Sequence, residues 1–226
     1  MKYGICFIIL IAFAFTGCKK EIISKPEVVS NTIIVGWGDD LTWGVGGDNT
    51  TYLTELAKLT GLKTYNMGEL ETTSTFIKDK MIADTGLHIY PTVIWAGRYR
   101  TIYQRTIVSD IADMVKSLGH KKYVILGLLN ADDALERKGR ENYSKIVNIN
   151  KELARVYGSR FIDIRTYLIS QYDPKNAGDV RDLELDVTPG SLRRDAVFLN
   201  AKGYKMVAGQ VNLKIKLLRG DVPATQ

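Results

Sequence analysis

The chain has 226 residues, enough for one large domain or two small ones, and its 45% hydrophobic and 25% charged residues exclude wholesale disorder and a polytopic membrane protein. Its 31 basic and 25 acidic side chains give a net charge of +6, yet no Lys/Arg block concentrates it, so nucleic acid is not implied as a partner. Cys6 and Cys18 both lie near the N-terminus, which excludes a disulfide framework for the folded part; two histidines, His88 and His120, are too few for the usual His-rich zinc sites, and no metal or cofactor is implied.

The first element is an address. Lys2 precedes an apolar run over residues 4–15 that is too short to span a bilayer comfortably, and Thr16-Gly17-Cys18 follows it. The pattern resembles a bacterial lipobox, although Phe15 stands where leucine is usual. The alternative is an ordinary secretory signal, or an uncleaved anchor, with an incidental cysteine. On the lipobox reading residues 1–17 are removed, and acylated Cys18 holds the protein in membrane lipid by two or three chains, one being marginal. The location implied is the bacterial cell envelope. Lys19 and Lys20 give no acidic retention signal, which favours the outer membrane or cell surface over the inner membrane. Residues 18–31, polar and broken by Pro26, read as a tether.

Strand and helix signals then alternate. Residues 32–37 (TIIVGW) form a β-branched apolar run, as a buried parallel strand should. Residues 52–60 carry apolar side chains at helical spacing and stop at Gly61. A second strand is expected over 62–66, a helix over 72–83 and a third strand over 91–96. A helix over 103–118 places Ile107, Ile111, Met114 and Val115 on one face. A fourth strand (122–129), a helix (143–157), a fifth strand (160–164) and a closing helix (201–218) complete the series. Repeated β-α units of this length predict an α/β fold: a flavodoxin-like three-layer α/β/α sandwich around a parallel sheet of about five strands. One domain over 32–219 accounts for the pattern, with 220–226 as a tail. Residues 172–195 read as a long structureless insertion.

In such a sheet the chemistry sits at the C-terminal strand ends. Four blocks fall there: Gly38-Asp39-Asp40-Leu41-Thr42-Trp43-Gly44, Asn66 to Thr72, Ile94-Trp95-Ala96-Gly97 with Arg98-Tyr99-Arg100, and Asp195 to Tyr204. In this order they resemble the SGNH (GDSL-type) hydrolases, whose members include esterases, lipases, thioesterases and carbohydrate deacetylases. The resemblance implies a nucleophilic Ser after the first-block Asp. It implies oxyanion donors from that Ser, a second-block Gly and a third-block Asn, and an Asp and a His three residues apart before the last helix. Position by position, the nucleophile's place is held by Asp40, the oxyanion Asn by Tyr99 and the His by Phe198, while Asp195 remains. The second-block Gly falls on Gly68 or on Leu70, according to whether Asn66 or Glu71-Thr72 sets the alignment.

Phe198 cannot move a proton, and His88 and His120 precede strands three and four, at the far edge of the sheet. Three classes follow. The first is a non-catalytic SGNH-like lipoprotein, a pseudoenzyme that binds a ligand or partner. The second is an ester hydrolase using unorthodox residues such as Asp40 and Asp195. The third is a structural lipoprotein with a vestigial groove. If the groove binds, Asp40, Trp43, Arg98, Tyr99, Arg100 and Asp195 are its candidate contacts, with a carbohydrate or an anionic small molecule as the ligand; Arg193 and Arg194 would flank it. Core packing is the simpler fate for Trp43 and Tyr99. Asp39 is expected to cap the helix after strand one, and the carboxylate of Asp40 to be held by backbone N–H groups or by Arg98 or Arg100.

Overall fold

A computed structural model describes residues 29–98 and 106–219. The proposed signal, Cys18, nearly all of the tether, Tyr99, Arg100 and the tail lie outside them. Five parallel strands, β1 (Ile33–Gly38), β2 (Lys63–Gly68), β3 (Thr92–Trp95), β4 (Tyr123–Leu126) and β5 (Phe161–Ile162), form one sheet in the order β2-β1-β3-β4-β5. The α/β sandwich and five-stranded parallel sheet expected from the sequence are present.

The two-residue period of a strand sorts its side chains to opposite faces. Ile34, Val93, Trp95, Val124 and Leu126 enter one core with α2 (Tyr52–Thr60), α6 (Ile164–Ile169) and α8 (Ala201–Arg219). Val35, Trp37, Ile94 and Ile125 enter the other with α3 (Ser74–Ala83), α4 (Ile107–Leu118) and α5 (Glu141–Tyr157). Because both faces are covered, β1, β3 and β4 read as apolar runs, whereas the edge strand β2 (KTYNMG) is largely polar and exposed. Helix α2 begins where expected because Thr51 and Thr54 cap each other reciprocally, and it ends on Gly61 at φ +70°.

Three expectations need correction. The fifth strand stops at Ile162, because the Asp163 carboxylate accepts the N–H of Thr166 and starts α6 at Ile164. The insertion at 172–195 is not structureless. It contains α7 (Ala177–Glu184), started by Asn176 accepting from Gly178 and Asp179, and a 3-10 turn at Gly190–Leu192. His88, for which a surface or cap role is expected before strand three, does end the 3-10 turn at Thr85–Leu87 but is buried, and its Nε2 bonds the carbonyl of Met81 at 2.8 Å. His120 Nδ1 accepts from the N–H of Lys122, as a turn residue before β4.

Candidate functional site

The site forms where β1 ends. Gly38 lies so close to β3 that a Cβ there would sit 2.1 Å from the carbonyl oxygen of Trp95, so no other residue fits. The chain then turns into the one-turn helix α1 (Asp40–Trp43). Asp39 caps this turn as expected: its Oδ1 accepts the N–H of Leu41 at 3.3 Å. Its Oδ2 reaches across to the loop after β3 and accepts from Gly97 at 2.9 Å and Arg98 at 2.6 Å. Asp39 is wholly buried, and burial, aided by the neighbouring Asp40 charge, pushes its carboxyl up to about 6 although three backbone donors oppose the rise.

The nearby tyrosines are similarly enclosed. Tyr52 is buried beside Asp39, and its hydroxyl is raised well above its ordinary range by desolvation. The Tyr204 hydroxyl, raised by the same cause, donates to the Val45 carbonyl at 2.8 Å and ties α8 to the loop after α1.

Asp40 faces a cleft of about 610 Å³ lined with Val45, Leu70, Glu71 and Phe198. Asp40 is 5% exposed, and its Oδ1 accepts the backbone N–H of Glu71 at 3.0 Å. A backbone donor therefore holds Asp40. The donor, Glu71, follows directly on Leu70, one of the two positions that the sequence offers for the second-block glycine. The Gly68 N–H is taken by Asn66 Oδ1 at 2.9 Å, and a Cβ on Gly68 would lie 2.2 Å from the Trp43 nitrogen. Glu71 was missed because its signal is conformational. It holds φ +51°, a backbone region that favours glycine, and nothing in the residue's identity announces it.

The remaining candidates separate. The cleft keeps Phe198 beside Asp40. Asp195 is exposed, and its Oδ1 accepts from Val197 and Phe198, both at 2.8 Å; the carboxylate is spent on its own turn. The start of α8 is held instead by Asn200, whose Oδ1 accepts from Gly203 at 3.0 Å. Arg98 does not reach Asp40: its guanidinium is buried against Glu136 at 3.2 Å, a partner that no sequence pattern marked. Arg193 does not flank an open groove either. It lies among Asp182, Asp132 and the Thr188 carbonyl, while Arg194 pairs with Asp48 on the surface.

Trp43 is corrected in the other direction. It is 51% exposed, not packed in the core where Trp37 and Trp95 lie. It rims a second cleft of about 580 Å³ with Asn49, Thr51 and Asn66, which adjoins the first through Val45 and Leu70.

Chemically, the described lining of the Asp40 cleft offers carboxylates and apolar walls. The phenyl ring of Phe198 cannot relay a proton. Among the described residues, no three His, Cys, Asp or Glu side chains gather as a metal site.

No family model matches the chain. The tail spike protein of Salmonella phage epsilon15 is 30% identical over 108 residues, which are 46% of this chain and 10% of that protein; the chain spans about a tenth of this relative's length. Among solved structures, a lipolytic protein of the G-D-S-L family from Desulfitobacterium hafniense superimposes with a TM-score of 0.61 at 19% identity, covering 81% of this chain and 99% of its own. A lipase/acylhydrolase from Enterococcus faecalis gives 0.60 at 15% identity, over 86% and 98%. The catalytic domain of peptidoglycan O-acetyltransferase A from Streptococcus pneumoniae gives 0.52 at 14%, over 85% and 96%. With the parallel sheet and its cleft at the C-terminal strand ends, these matches establish that the chain has the SGNH fold of the G-D-S-L lipolytic proteins.

Proposed function

We propose that this chain is a lipid-anchored envelope protein whose SGNH-type domain has lost acyl-transfer chemistry and serves as a binding module. The observation that carries this reading is the bond from the Glu71 N–H to Asp40. Acyl transfer needs a nucleophile, a base near neutral pKa and donors that receive a developing oxyanion. At the nucleophile's position stands Asp40, and its carboxylate occupies a backbone donor of the cleft. At the base's position stands Phe198. An acyl group transferred to Asp40 would form an anhydride, and its hydrolysis would still need a positioned water and a base. Anchoring through acylated Cys18 completes the reading, because the lipobox-like Thr16-Gly17-Cys18 gives a mature N-terminus that lipid can hold.

The test is an ester assay of the purified protein with short-chain nitrophenyl esters and an acetylated sugar. The expected result is turnover no faster than buffer. Turnover that disappears in Asp40→Ala would overturn the proposal and favour a hydrolase built on Asp40.

A further inference from the structure

Resting on the reading of the domain as a binding module, we propose that the Trp43 cleft holds an uncharged glycan. A half-exposed tryptophan in a short turn is common enough to need no explanation by itself. Trp43 differs because its turn is pinned from several sides. Asn66 Nδ2 donates to the Trp43 carbonyl at 3.2 Å, while the same side chain's Oδ1 is fixed on Gly68. The N–H groups of Gly44 and Val45 both donate to the Asp40 carbonyl, at 3.0 and 3.1 Å. Tyr204 holds the Val45 carbonyl from α8. The indole is thus presented on rigid backbone at a cleft mouth, the arrangement a recognition surface requires.

The lining selects the ligand class. Trp43 and Leu70, which is 47% exposed, give a flat apolar wall. Asn49 and Thr51 give neutral donors and acceptors beside it. The two charged residues among the described lining, Asp40 and Glu71, are both carboxylates, Asp40 buried and Glu71 exposed. Carboxylates accept from hydroxyls and repel anions. Arg98, which could have offset them, is committed to Glu136. An acyl chain would waste the amides and acids. A phosphate or uronate would meet like charge. A sugar ring has an apolar face for the indole and a rim of hydroxyls for Asn49, Asp40 and Glu71. The combined volume suits a few sugar units.

The experiment uses the full chain and reads tryptophan fluorescence. Because Trp37 and Trp95 are buried, acrylamide quenching reports mainly on Trp43. Cellotetraose, maltotetraose and tetra-N-acetylchitotetraose are the neutral probes; tetragalacturonate and decanoate are the counter-probes. At millimolar concentration at least one neutral probe is expected to shield Trp43 from acrylamide. Calorimetry should show the same probe binding at least tenfold more weakly to Trp43→Ala, with most of the affinity retained in Trp43→Phe. The proposal is overturned if no neutral probe binds, if Trp43→Ala binds unchanged, or if either counter-probe binds as tightly. The ester assay on the same preparation separates the two readings: turnover removes the inert module, whereas loss of glycan binding in an inert protein removes the glycan site alone.

Discussion

The Asp40 carboxylate accepts its hydrogen bond from a residue 31 positions away, Glu71, and that residue holds a left-handed backbone conformation to donate it. A non-glycine residue in this region costs about 1–2 kcal/mol, whereas glycine adopts it freely but loses more chain entropy on folding, about 0.5–1 kcal/mol. Removing the Glu71 side chain also takes a carboxylate away from Asp40. Glu71→Gly is therefore expected to stabilise the protein by about 0.5–1 kcal/mol in urea denaturation. Glu71→Ala, which keeps the strain, should gain less. Glu71→Gly less stable than Glu71→Ala by about 0.5–1 kcal/mol, the glycine entropy cost alone, would show that strain at this position is negligible.

Arg193 carries the insertion at 172–195. Its guanidinium meets Asp182 at 2.8 Å and Asp132 at 3.3 Å, and its Nε donates to the Thr188 carbonyl at 2.6 Å. The side chain is 8% exposed and that of Asp182 only 3%. Without Arg193, Asp182 keeps Arg181 and the Gly190 N–H, and Asp132 keeps Arg137 and Arg181, so the loss is that of hydrogen bonds to charged groups, about 1.5–3 kcal/mol. Arg193→Ala should lose stability on that scale, and limited proteolysis should cut within 172–195 before the rest of the domain. Arg194→Ala, at an exposed pair with Asp48, should change stability by less than about 1 kcal/mol.

What the sequence makes legible follows from how each interaction is written in it. Buried parallel strands must be apolar on both faces, so Thr92–Trp95 and Tyr123–Leu126 stand out as runs. The start of α2 is readable because a side chain supplies the cap. Helix α7 is not, because it is held by Asp179 and Asp182 bonding to Ser191, Gly190 and Arg193, and a polar segment with polar partners looks like a loop. At the site, the cap by Asp39 is legible as an acid after a strand. The partner of Asp40 is not, since a backbone N–H is common to nearly every residue and leaves no trace in composition. Arg98 and Arg193 look like cleft cations from their positions after β3 and before α8, but nothing in the sequence pairs them with the acids that bury them, Glu136 and Asp182, which lie 38 and 11 residues away.

The proposed lipid anchor rests on Cys18. Mass spectrometry of the mature N-terminus should find Cys18 as the first residue, carrying acyl chains. Cys18→Ala should leave the precursor uncleaved or release the protein from membranes. A mature chain beginning at another cleaved position would show an ordinary secretory signal, and one that keeps Met1 an uncleaved anchor.

Asp39 should give the protein a pH-dependent stability of its own. Its carboxyl titrates at about 6 when folded against an ordinary value of 3.8, because burial disfavours the charged form more than the donors from Arg98, Leu41 and Gly97 favour it. The folded state therefore binds the proton more tightly than the unfolded state. The group's stabilising contribution is complete below about pH 4 and is lost as pH rises through about 6, on the order of 3 kcal/mol in all. Other carboxylates titrate in the same window, so the comparison is with Asp39→Asn. That variant turns an N–H donor toward Gly97 and Arg98 or leaves Leu41 unbonded, and it should be less stable at every pH. It should also lack the decline between pH 4 and 6 that the wild type shows against it. Urea denaturation at pH 4, 5, 6 and 7 measures the difference. A wild-type advantage over Asp39→Asn that grows with pH would show that the backbone donors outweigh burial and hold the Asp39 carboxyl below its ordinary value.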